Sequence, residues 1–250
     1  MKSIKNILIL LSLVLLIQCS SVGERYVEAA ADGSLSEMEA ISQKNGDLFN
    51  AREERNWTAL IAASSTGKMA IVQYLISKKA KLNLRTNLGD TAIYRASANG
   101  HTDIVRLLLE SGANPNIKDK KGDTCLMKAA SKGNIDVMRI LLEAKMNPNE
   151  IRIPLIDATT ALMAAAQDDR VEAIKLLIKY KADVNAKNHH GDTALSLAAS
   201  SGKLNSVRVL IESGANVNNV SIYGLTPILH AEENGYADIV SELQKAGAKG

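Results

Sequence analysis

Two kinds of apolar stretch alternate along the chain from about residue 24 onward, and the alternation repeats. The first kind is short and built of small residues: Ala62-Ala63, Ala129-Ala130, Ala165-Ala166, Ala198-Ala199. Such a stretch predicts a short helix whose small side chains let a neighbouring helix approach closely. The second kind carries apolar residues at i, i+3 and i+4, as in Ile104, Val105, Leu108 and Leu109, and predicts a longer amphipathic helix. Between the two stands a glycine nine residues past a threonine, which suits a turn needing positive φ. In one unit that position is Asp169, a residue that tolerates left-handed geometry better than most. Gly112-Ala113, Gly214-Ala215 and Gly247-Ala248 end the second helix, as helix C-caps commonly do. Polar stretches such as Lys118 to Asp123, with a glycine two before the threonine, predict protruding hairpins.

The threonines set the period. Thr58, Thr91, Thr124, Thr160, Thr193 and Thr226 are spaced 33, 33, 36, 33 and 33. Asn83, Asn116, Asn149, Asn185 and Asn218 each follow 25 residues behind the first five of these threonines. A helix pair of this size cannot bury its apolar face alone, but a stack of pairs can, provided both ends are capped. At the C-terminal end, Gln244 replaces the leucine or isoleucine of earlier units. At the N-terminal end, residues 24–50 form a degenerate unit with no hairpin before it.

The recurring text resembles the ankyrin repeat, from Thr91-Ala92-Ile93 with Gly100-His101 to Thr226-Pro227-Ile228 with Gly235-Tyr236. The resemblance implies an all-α solenoid of helix-turn-helix units with β-hairpin loops. It gives six repeats, at about 51–83, 84–116, 117–149, 150–185, 186–218 and 219–250, plus the N-terminal capping unit. One departure runs throughout. The fourth motif position, usually His, is Ile61, Tyr94, Met127, Met163, Ser196 or Leu229, so apolar packing is expected to replace the Thr–His hydrogen bond.

The resemblance also implies a partner-binding surface made of hairpin tips and the exposed side of each first helix. On this chain the candidate contacts are Arg55, Trp57, Leu88, Lys120, Lys121, His189, His190 and Tyr223. The tryptophan and tyrosine are favoured anchor residues at interfaces, although packing of Trp57 or Tyr223 against the next hairpin is the competing use. The 36-residue interval adds Ile153 and Leu155, because its three extra residues make an apolar finger.

The first eighteen residues read differently. Lys2 and Lys5 precede an apolar run from Ile7 to Ile17, which is a secretory signal pattern and too short for the roughly 20 residues of a membrane span. Leu16-Ile17-Gln18-Cys19 resembles a bacterial lipobox, with Gln18 departing from its usual small residue. Cys19 is therefore the expected lipidation site, with residues 19–23 as a short tether reaching at most about 14 Å beyond it. Cleavage after Ala29-Ala30-Ala31, the alternative, lies too far from the apolar run.

Composition narrows the function class. The formal charge of +3 falls to 28 basic against 27 acidic residues once Lys2 and Lys5 leave with the signal. With aromatics at 3%, a base-stacking nucleic-acid surface is not expected. No phosphate loop, G-x-S-x-G or H-E-x-x-H motif occurs. His189 and His190 are adjacent on a turn, with no cysteine or second pair to complete a metal site. Cys125 stands in the slot after a repeat threonine, a buried structural position. The sequence thus predicts a non-enzymatic, cofactor-free, monomeric module in the bacterial envelope that binds another protein. Within that class it can be a scaffold, an immunity-type inhibitor of a toxin, or a surface adhesin for a host protein.

Overall fold

The computed structural model describes residues 22–152 and 158–249. Cys19, Ile153 and Leu155 lie outside the described residues. Among the described residues, fourteen helices follow in strict pairs. The capping unit has α1 (Val22–Asp32) and α2 (Leu35–Asn45). The six repeats follow with α3 (Ala59–Thr66) and α4 (Met69–Ser77), α5 (Ala92–Asn99) and α6 (Thr102–Glu110), and α7 (Cys125–Lys132) and α8 (Ile135–Glu143). Then come α9 (Ala161–Gln167) and α10 (Val171–Lys179), α11 (Ala194–Ser200) and α12 (Leu204–Glu212), and α13 (Pro227–Glu233) and α14 (Ala237–Lys245). Val22 and Gly23, the last two residues of the expected tether, lie in α1. No described helix is long and apolar enough to cross a membrane.

The threonine period has a local cause. Each repeat threonine is an N-cap in extended conformation, and its hydroxyl accepts the backbone N–H three residues on, in all six repeats. That bond satisfies one of the orphan amides of the helix start. Five of the first helices are followed by a left-handed glycine (Gly67, Gly100, Gly133, Gly202, Gly235), and the sixth by Asp169 at φ 53°.

First helices stack into one continuous inner row, α1 on α3 on α5 and so on to α13, and second helices form an outer row behind it. Alanines make the inner row close: Ala63, Ala96, Ala130, Ala166 and Ala199 are fully buried. Ile71, Leu75, Leu108, Leu141, Leu177, Leu210 and Leu243 come forward from the outer row to complete one unbroken core. The substituted fourth position is buried in five repeats, as Ile61, Tyr94, Met127, Met163 and Ser196, and only partly so as Leu229. Apolar packing does take over at most of these positions, with Tyr94 keeping a polar link: its hydroxyl donates to Asp119 Oδ2 at 2.9 Å.

Four of the five period-matched asparagines are inter-repeat clamps. The carboxamide oxygens of Asn83, Asn149, Asn185 and Asn218 accept the backbone N–H of Asn114, Asp183, Asn216 and Lys249 in the following unit, at 2.7–2.9 Å. Asn50 does the same for Lys81 at 2.7 Å, which extends the pattern into the capping unit.

A second link joins the turns. His101 Nε2 lies 3.0 Å from Ser65 O, Asn134 Nδ2 donates to Ser97 O at 2.8 Å and Arg170 Nε to Ser131 O at 3.0 Å. Each side chain lies directly over the turn glycine of the preceding unit, so a Cβ on Gly67 would come within 2.7 Å of the His101 ring.

Candidate functional site

The hairpins project from the start of the inner row, and their tips share one construction. In every repeat but the fourth, the residue five before the repeat threonine closes the tip through its backbone N–H and folds it through its side chain. Thr86 Oγ1 accepts the amides of Leu88 and Asp90, and Asp119 Oδ1 those of Lys121 and Asp123. Asn188 and Ser221 do likewise, as does Glu53 for Arg55 and Trp57. The tips contain no strand among the described residues, yet they are hydrogen-bonded edge to edge. Asn87 N–H donates to Arg55 O, Lys120 N–H to Leu88 O, and Ile222 N–H to His190 O, each at 2.8 Å. The expected β-hairpins are thus tight turns joined sideways by single backbone bonds.

The longer loop of the fourth repeat closes from Arg152 N–H to Thr159 O at 3.0 Å. Here a guanidinium replaces the folding acceptor. Arg152 donates to Thr159 Oγ1 at 3.0 Å and pairs with Asp123 of the preceding tip at 3.2 Å. Beneath it is a polar hollow of about 170 Å³ between the third and fourth repeats, lined by Asp123, Lys128, Ser131 and Asp168 among others.

Each candidate with described coordinates falls on a tip. Leu88, Ile222 and Tyr223 are 62%, 67% and 67% exposed, the most open large apolar side chains of the ladder. Lys120 and Lys121 are exposed beside Leu88, and so is His189 at the fifth tip. His190 stacks on Tyr223 with ring centroids 5.7 Å apart, and the Tyr223 hydroxyl lies 3.3 Å from His190 Nδ1. Tyr223 therefore both packs against the neighbouring tip and stays open to solvent. Trp57 is half-buried, with the Arg95 guanidinium 4.8 Å from its ring centroid. Arg95 also pairs with Asp90 at 2.5 Å. Burial raises the Asp90 carboxyl above its ordinary pKa, and Arg95 offsets only part of that rise.

Sequence reasoning missed Arg95, Tyr94 and His230. His230 Nε2 approaches Asp192 Oδ1 at 3.3 Å, so Arg95, Arg152 and His230 each engage the aspartate that ends a tip (Asp90, Asp123, Asp192). The usable signal was the aspartate one before the threonine in those three units. The side chains that engage them have no common offset in the sequence.

Among the described residues no three His, Cys, Asp or Glu side chains converge as metal ligands. Cys125 is fully buried, its thiol donates to Pro115 O at 3.2 Å, and burial pushes its pKa up to about 12. Burial also raises the Tyr94 hydroxyl, reinforced by Asp119. Neither group is poised to react at neutral pH.

The comparisons with known proteins agree with the repeat geometry. The family model described as ankyrin repeats, in three copies, matches residues 27–119, 111–188 and 162–250. The solved human ASB11 ankyrin repeat domain is similar in fold, with a TM-score of 0.77 at 24% identity, over 90% of this chain and 98% of that one. No curated protein sequence matches the chain. Capped threonines, turn glycines, asparagine clamps and laddered tips recur in one register along nearly the whole described length, and with the family match they make this chain a member of the ankyrin-repeat family, whose repeats are protein–protein interaction modules.

Proposed function

We propose that this chain is an exported bacterial lipoprotein, held in the envelope through lipid on Cys19, whose hairpin tips and inner helices capture a protein partner without catalysing a reaction. One observation carries the binding part. Leu88, Ile222 and Tyr223 stand open on tips whose backbones are hydrogen-bonded into a ladder. Large apolar side chains on a rigid support give up little conformational freedom when a partner covers them. The signal pattern before Cys19 supports the address. Because α1 starts at Val22, the body would ride close to the membrane.

The test is affinity purification of the chain, processed at Cys19, from its own cell envelope. One stoichiometric partner is expected, and it should be lost from a Leu88→Asp/Tyr223→Asp variant that keeps its melting temperature. Retention by that variant would remove the tips from the interface. The captured protein also sorts the subclasses: an envelope enzyme fits a scaffold, a toxin fits an inhibitor, and a host protein fits an adhesin.

A further inference from the structure

The tip ladder has an unused end. In the second, third and sixth tips, the residue four before the repeat threonine (Asn87, Lys120, Ile222) gives its backbone N–H to the tip before it. The equivalent residue of the first tip is Glu54. Its carbonyl accepts the Asn87 side-chain amide at 3.2 Å, but its N–H meets no acceptor among the described residues. Among the described residues, no tip precedes the first one, which follows α1 and α2 directly.

The place that such a hairpin would take is a cleft of about 420 Å³ between α1, the first tip and α3. Its floor is apolar, with Val27, Ala31, Ala62 and the Trp57 indole. Its rim carries the carboxylates Glu28, Glu53 and Glu54, with Arg55 beside them. Arg95 covers a face of Trp57, which fixes the ring as a wall of the cleft.

We propose that this cleft binds an extended, basic segment of a protein partner, which adds to the tip ladder as the missing hairpin. A backbone carbonyl of the segment accepts the Glu54 N–H, as Arg55 O accepts that of Asn87. Extended peptides commonly add to an open edge in this way, with main-chain bonds giving affinity and side-chain pockets giving specificity. An aliphatic side chain of the segment covers Val27 and Trp57. A lysine or arginine beside it reaches Glu28 and Glu54, whose charges favour cationic partners and disfavour acidic ones. The inference deepens the protein-binding reading, since it names the chemistry of one stretch of the partner.

The test is selection of a random octapeptide display library on the full chain. The expected outcome is enrichment of peptides in which Lys or Arg alternates with aliphatic residues. Their binding should weaken on the order of tenfold or more in Glu28→Lys/Glu54→Lys and stay unchanged in Arg106→Glu/Arg139→Glu, on the exposed side of the outer helices. In the bound state the Glu54 amide should be protected from hydrogen exchange. Failure to enrich basic peptides, or enriched peptides indifferent to Glu28→Lys/Glu54→Lys, would overturn the cleft assignment. So would an unprotected Glu54 amide. Peptides that map instead to Leu88 and Tyr223 would sink the cleft while leaving the protein-binding reading intact, so the two ideas fail separately.

Discussion

Asp169 reaches across a repeat boundary to Ser206, accepting its backbone N–H at 2.9 Å and its hydroxyl at 2.8 Å, while the second carboxylate oxygen takes the Asn205 side chain at 3.0 Å. Ser206 lies in the first turn of α12, so the carboxylate of one repeat caps the outer helix of the next. The backbone of Asp169 is left-handed at φ 53°, where other units have glycine. Replacing that glycine introduces backbone strain but adds a charged cap at a helix N-terminus, where negative charge is favourable.

Asp169→Ala should destabilise the domain by about 1–2 kcal/mol, because it loses the cap and keeps the strained backbone. Asp169→Gly should cost less, since glycine takes positive φ freely. Urea denaturation of the two variants measures the difference. Equal losses would mean that the strain is negligible.

The same carboxylate gives stability a pH dependence. Burial alone would raise its pKa, but the bonds from Ser206 and Asn205, with Lys203 nearby, outweigh it and hold Asp169 below the ordinary value. The contribution is therefore complete above the unfolded pKa, about pH 4, and is lost as the pH falls through the lower folded value. The stability gap between the protein and Asp169→Asn should be widest at neutral pH and shrink on acidification toward pH 3. A gap constant over that window would contradict the charge assignment.

Gly67 and Gly112 separate strain from collision. Both have positive φ, 77° and 90°, but a Cβ at Gly67 meets the His101 ring at 2.7 Å while one at Gly112 meets nothing. Gly112→Ala should cost about 1 kcal/mol. Gly67→Ala should cost more, and trimming the ring in Gly67→Ala/His101→Ala should return part of the difference. A double variant no better than the sum of its singles would mean that the ring is not the obstacle.

Arg95 holds Asp90 and Trp57 in one cluster. Arg95→Ala should leave the buried Asp90 without its cation and cost about 2 kcal/mol, below the loss at a fully buried pair because the Arg95 side chain keeps 27% exposure. Adding Asp90→Asn should recover much of that. Thermal melts of the single and double variants test the coupling, and additive losses would refute it.

Cys125 should resist thiol reagents at pH 8 in the folded chain and react at once in denaturant, because its thiol is both buried and raised to about 12. Rapid labelling of the folded protein would mean that the third repeat opens readily. At the other end of the chain, a fatty-acid analogue should label the protein in its own cells, and Cys19→Ala should abolish the label.

Architecture was legible because it is built from bonds between near neighbours in sequence. A threonine caps the helix that starts beside it, and a glycine allows the turn that follows. Even Asp169 could be read as a left-handed substitute for glycine, although its cap on Ser206 could not. The candidate tip residues were legible in the same way, since a tip is defined by its distance from Thr91 or Thr226. The Arg95–Asp90 and His230–Asp192 pairs were not, because the partner of the tip aspartate lies five residues on in one unit and 38 in the other, so no repeated offset points to it.

By itself, then, the sequence determined the repeat, its period and the residues that the tips display. Those features depend on backbone geometry and on local apolar spacing, both of which repeat with the chain. Tertiary structure alone decided that the tips are joined edge to edge, that Trp57 is shared between Arg95 and an acidic cleft, and that the Glu54 amide is left open. Such contacts arise only when separate repeats are brought to one surface. No periodic pattern encodes them, because each depends on what the neighbouring unit carries or lacks.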